Sequence, residues 1–169
     1  IPWRELWRYR DLIGLLARRD LSAQFKQTVL GPMWFVIQPL LATVVFSLIF
    51  GQLLSGKDQK NTDSTPHFVF YMSALIIWGF FSDCVTKTAS TFTKNAQLFG
   101  KVYFPRLIVP ISVVISNLVK FLIQFAIFIA FYFYYVMKGT VIQFNESVFL
   151  FPLLIMVMGI LGLGLGMLI

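Results

Sequence analysis

The chain has 169 residues, 58% of them hydrophobic, only 12% charged, and a formal net charge of +7 at pH 7. A soluble domain carries roughly 25% charged residues, so water cannot be the main surroundings of this polypeptide. The lone cysteine, Cys84, excludes an intrachain disulfide, and no Cys/His cluster has metal-ligand spacing. The positive charges sit beside apolar runs rather than in a patch of their own. That favours anionic lipid headgroups as their partner, and no nucleic acid is expected.

The leader, residues 1–28, reads as an amphipathic interface helix. At 100° per residue, Trp3, Leu6, Trp7, Ile13, Ala17 and Leu21 fall on one side, and Arg4, Arg8, Asp11, Arg18 and Arg19 on the other. Leu12, Leu15 and Arg10 break the pattern. A helix lying at the membrane surface accounts for the mixture, and a solvated helix packed on a soluble partner accounts for it too.

A first span is expected over 29–54, a stretch without a single charge. Its length and late start are wrong for the h-region of a cleaved signal peptide. Gly31-Pro32 forms a corner at its entry, because Pro suits the first turn of a helix, where its missing N–H would be unpaired anyway. Pro39, a turn deeper, cannot donate to the carbonyl of Phe35, so a kink is expected, with Gln38 as a candidate to satisfy that carbonyl. The polar loop 55–67 contains the only histidine, His67, read as an interfacial residue without a role.

The second span, 68–94, changes character along its length. Its later half places Asp83, Thr86, Lys87, Ser90, Lys94 and Gln97 on one stripe, with Phe81, Val85, Phe92, Ala96 and Phe99 opposite. Asp83 and Lys87, four apart with the acid first, can pair on the helix itself. Charges at membrane depth usually face a bundle interior or an aqueous path. The stripe reads equally as a lumen lining or as side chains snorkelling toward the cytoplasm.

The third span, 107–137, is interrupted only by Lys120, flanked at helical spacing by Asn117 and Gln124. Hydrogen-bonding glue between helices and a pathway lining both fit that face. The fourth, 147–169, carries Gly162 and Gly166 as a GxxxG, which permits close helix approach in lipid. It meets the last residue with no flanking charge or aromatic anchor, and the chain starts at Ile1 rather than Met, so a fragment of a longer membrane protein is expected. The fold class is therefore an all-α membrane protein: one transmembrane domain, 1–169, with an interface helix followed by four transmembrane helices.

Basic residues mark the cytoplasmic side of short loops. The leader carries Arg4, Arg8, Arg10, Arg18, Arg19 and Lys26, and the segment after the second span carries Lys94, Lys101 and Arg106. The opposite loops carry only Lys57 and Lys60, then Lys138. A cytoplasmic N-terminus is expected.

Two stretches, "FKQTVLGPMWFVIQPLL" (25–41) and "KNAQLFGKVYFPRLIVP" (94–110), resemble the membrane subunit of type-2 ABC exporters of bacterial polysaccharides, the O-antigen, capsule and teichoic acid group. The resemblance covers nearly the whole chain. It implies a six-span permease of the bacterial cytoplasmic (inner) membrane that forms a homodimer and binds two copies of a separate ATPase. ATP and Mg would sit on that partner, with no cofactor in this chain. Carried over residue by residue, Asn95, Leu98, Lys101, Tyr103, Phe104, Pro105 and Arg106 would form a cytoplasmic coupling element over 95–106 that touches the ATPase. An Arg-Asp pair and two further spans that follow in such families are absent here. Candidate residues of a path for a glycan are Asp83, Thr86, Lys87, Ser90 and Lys120, with Tyr71 and Trp78 as aromatic platforms for sugar faces.

Two other classes stay open. A secondary transporter or channel would need no ATPase, and Asp83 with Lys87 would be its ion-sensing pair. A membrane-embedded glycan-modifying enzyme would need converging catalytic groups, whereas only Asp83 lies deep and His67 is peripheral.

Overall fold

A computed structural model describes residues 9–26, 31–54, 67–91, 107–138 and 150–169. The segment 95–106, to which the resemblance assigns the coupling role, lies outside the described residues, as do Trp3, Arg4, Leu6, Trp7 and Arg8. Every regular element among the described residues is helical: α1 (Arg10–Lys26), a 3-10 turn (Gly31–Met33), α2 (Trp34–Leu54), α3 (His67–Ala89), α4 (Ile108–Met137) and α5 (Phe151–Leu168). Three of them, α3, α4 and α5, are long and apolar enough to cross a membrane. The first expected span, 29–54, corresponds to α2. Its backbone runs 21 residues, about 31 Å, the thickness of a hydrocarbon core of about 30 Å.

The helix starts follow local chemistry. Gly31 has φ +55°, a left-handed conformation that side chains with a Cβ rarely adopt. It therefore makes the corner between α1 and α2. Pro110 and Pro152 stand in the first turns of α4 and α5, where no intrahelical donor is lost. Within α1 the stripe is amphipathic, and its cover there is part of this same chain. Ile13 and Ala17 are buried, and α1 packs chiefly on α4. Leu15, a misfit to the stripe, is 65% exposed.

The core is built on α3. Met72, Ile76, Phe80 and Cys84 recur every four residues and are buried together with Phe121 of α4. Phe80 and Phe121 lie with ring centroids 5.1 Å apart, Phe121 and Phe125 5.7 Å, and Phe125 and Phe151 4.9 Å, so rings from α3, α4 and α5 form one continuous column. Lipid tails are as apolar as these rings. Dispersion and close fit, rather than expulsion of water, must therefore hold the helices together.

Close fit is most evident between α3 and α5. The buried residues of α5 are all glycines: Gly159, Gly162 and Gly166. A Cβ at Gly162 would sit 2.7 Å from the Cβ of Cys84, and one at Gly166 would sit 2.6 Å from the Cβ of Thr88 and 2.7 Å from the carbonyl oxygen of Val85. The GxxxG read from the sequence is thus a contact within this chain. Gly166→Leu is expected to lower stability by at least about 1–3 kcal/mol through overpacking, whereas Gly164→Leu, whose Cβ meets nothing within 4 Å, should change it little. Thermal unfolding of both variants in detergent checks this, and equal melting temperatures would contradict the close contact.

Candidate functional site

Where α1, α3 and α4 meet, their polar side chains converge. Lys87 Nζ donates to Asn117 Oδ1 at 2.9 Å, to Gln24 Oε1 at 3.3 Å and to Asp83 Oδ2 at 3.4 Å. One ammonium thereby ties α1 and α4 to α3. Lys120 Nζ donates to the same Asp83 Oδ2 at 2.7 Å and stands 5.2 Å from the centroid of the Phe35 ring, within cation–π range. Asn117 is buried and turns its amide nitrogen to Cys84 Sγ at 3.9 Å. The charged side chains are neither sealed nor free: Asp83 is 28% exposed, Lys87 29% and Lys120 15%.

A second polar junction joins α4 to α2. Pro39 deprives the Phe35 carbonyl of its intrahelical donor, and Gln124 Nε2 supplies the replacement at 3.1 Å. This corrects the expectation that Gln38 would serve, because Gln38 lies on the exposed side of α2. A side chain next to the proline on the same helix points away, whereas one from a packed neighbour can reach the gap. One turn further on, Thr43 Oγ1 donates to the Pro39 carbonyl at 2.6 Å.

The remaining candidate path residues do not join this cluster. Thr86 Oγ1 donates back to the Ser82 carbonyl at 2.8 Å and Ser90 Oγ to the Lys87 carbonyl at 3.2 Å, the local bonding that lets hydroxyls sit in a helix. Tyr71 packs between Phe50 and Phe70, with centroids 6.2 and 5.7 Å away. Trp78 is 67% exposed and touches Phe81. Within the described part of the stripe, Asp83 and Lys87 therefore join the ionic cluster and Thr86 lies on an outward ridge of α3, while Lys94 and Gln97 lie outside the described residues. The ridge runs Phe70, Ala74, Trp78, Ser82 and Thr86 at four-residue spacing.

Gln24 was not among the sequence candidates. The signal was present: the buried stripe of α1, Ile13 and Ala17, reaches Gln24 seven residues after Ala17, two turns on along the same face. A polar residue there must find a partner on whatever covers the stripe.

Helices of this length and apolarity, with their few charges gathered between them, define a multi-pass α-helical membrane protein. The whole of residues 11–169 matches the family model described as ABC-2 type transporter, and the chain belongs to that family. Among curated proteins it is similar to the O-antigen export system permease protein RfbA of Myxococcus xanthus, with 34% identity over 121 residues, covering 72% of this chain and 44% of that protein. A protein of the same name from Klebsiella pneumoniae is 29% identical over 130 residues, covering 77% of this chain and 48% of its own length. The chain thus spans about half the length of the curated relatives it matches.

The Phe35 carbonyl offers a clean test of the second junction. Gln124→Leu should cost about 1–3 kcal/mol, the penalty of an unpaired buried acceptor. Pro39→Ala, which restores an N–H in helical register with that carbonyl, should recover most of the loss in the double variant. A double-mutant cycle on detergent-solubilised protein measures the coupling. Strict additivity of the two substitutions would mean that Gln124 does not substitute for the missing donor.

Proposed function

We propose that this protein is the transmembrane subunit of an ATP-driven exporter that moves a polysaccharide or lipid-linked glycan across the bacterial cytoplasmic membrane. ATP and Mg are bound and hydrolysis occurs on a separate ABC ATPase subunit. The observation that carries the reading is family membership over nearly the whole chain together with two relatives named as O-antigen export permeases. In this reading the permease works as a homodimer. Asn95, Leu98, Lys101, Tyr103, Phe104, Pro105 and Arg106 receive the motion of the ATPase, with Tyr103 and Phe104 as apolar anchors between the basic Lys101 and Arg106.

The outward ridge of α3 supports a role in the path. Trp78 lies ten residues from Phe68, about 15 Å along the helix, which is mid-depth in a hydrocarbon core of about 30 Å. Tryptophan favours the interfaces, where its indole N–H is hydrated. An exposed one at mid-depth, followed by the hydroxyls of Ser82 and Thr86 on the same ridge, suits a surface that meets sugar: a ring face for stacking and hydroxyls for exchange of hydrogen bonds. Trp78→Ala should reduce glycan reaching the cell surface several-fold while leaving the amount of membrane-inserted protein unchanged. Normal surface glycan would remove Trp78 from the path, and normal export after replacing Lys101–Arg106 by alanine would remove the coupling role. Copurification with a Walker-motif ATPase separates the exporter from a secondary transporter or channel.

In this reading the basic leader lies on the cytoplasmic side, where basic residues beside spans are retained. A cysteine replacing the exposed Arg18 should react with a membrane-impermeant thiol reagent in inside-out vesicles and stay unreactive in intact cells. Labelling from outside the cell would invert the topology.

A further inference from the structure

The charges around Asp83 do not balance. Two ammoniums, Lys87 and Lys120, converge on one carboxylate oxygen. No other acid among the described residues turns toward them. Asp11 faces Arg10 at 3.7 Å and Asp20 faces Arg19 at 3.2 Å. The helices α2 and α5 hold no charged residue, α4 holds only Lys120, and Gln24, Asn117 and Gln124 are neutral. The cluster therefore carries one positive charge more than its own residues neutralise.

Its depth makes that charge informative. Asp83 lies fifteen residues from Phe68, about 22 Å, and Lys120 seventeen residues from Met137, about 26 Å. Measured from those ends of α3 and α4, a core of about 30 Å places both near the opposite hydrocarbon boundary, within a lysine's reach of headgroup phosphates. Partial exposure of all three side chains leaves the cluster open to such a group. A half-buried ammonium at this boundary is stabilised by an anion more than by water alone.

We propose that the Lys87–Asp83–Lys120 cluster is a phosphate site, completed by the headgroup of an acidic phospholipid from the leaflet on the α1 side. Lys120, with Asp83 as its sole charged partner among the described residues, supplies the main contact, and Lys87 the second. The site stands apart from the export reading and needs no substrate to be occupied.

Phosphatidylglycerol and phosphatidylcholine compared on the intact protein in native mass spectrometry, from detergent of neutral headgroup, provide the test. Wild type should retain phosphatidylglycerol roughly fivefold to tenfold over phosphatidylcholine, as about one unpaired cation implies. Asp83→Asn, which frees both ammoniums, should raise that preference. Lys120→Met, which leaves a balanced Asp83–Lys87 pair, should abolish it. Lys87→Met leaves the other balanced pair and gives an independent second arm should the Asp83 variant not fold. Equal retention of the two lipids by wild type, or a preference undiminished in both lysine variants, overturns the proposal. Stabilisation by inorganic pyrophosphate without any phosphatidylglycerol preference would overturn the lipid as source.

Discussion

Inside hydrocarbon, a polar atom that the protein does not satisfy stays unsatisfied, and this constraint arranges the helices around α4. Asn117, Lys120 and Gln124 follow one another at spacings of three and four residues, so they share one face. Each reaches a different need: Asn117 accepts from Lys87, Lys120 holds the Asp83 carboxylate, and Gln124 fills the bond that Pro39 removes from Phe35. With Gln24 added from α1, four helices are fixed to one another through side chains that none could bury alone.

Much of this was legible in the residues. Apolar length, basic flanks and proline placement outline the helices because each rests on local physics: a rise per residue, an absent N–H, a φ that only glycine tolerates easily. The i,i+4 pairing of Asp83 with Lys87 was likewise local. Lys120 as a second partner for Asp83, 37 residues away, was not, since spacing along the chain carries no information about which face of α4 meets which face of α3. The Phe35 carbonyl shows the same limit. Its need for a donor follows from Pro39 alone, but the identity of the donor depends on tertiary packing. Trp78, a candidate platform from the sequence, is exposed and touches Phe81, an orientation that its spacing along the chain does not fix.

The two ends of the α3–α4 seam use different materials. Toward Ile108, polar side chains meet: Asn117 of α4 lies against Lys87 and Cys84 of α3, and Lys120 against Asp83. Toward Met137, rings dominate, with Phe68 packed on Phe131 and Tyr135. One end is held by directional hydrogen bonds and ion pairs, which fix geometry. The other is held by dispersion among flat faces, which tolerate sliding. A path for a glycan along α3 would thus run beside an anchored end and a compliant one.

The glycines of α5 have a mechanical corollary. With Gly162 seated on Cys84 and Gly166 on Thr88 and the Val85 carbonyl, little side-chain depth separates the two backbones, so a shift between α3 and α5 meets steric resistance at once. The neighbouring seam differs. Between α4 and α5 a cleft of about 420 Å³, bordered by Phe80, Leu118, Ile155 and Gly159, leaves room for shear. Free space beside α5 is therefore concentrated on its α4 side, while its α3 side is closed.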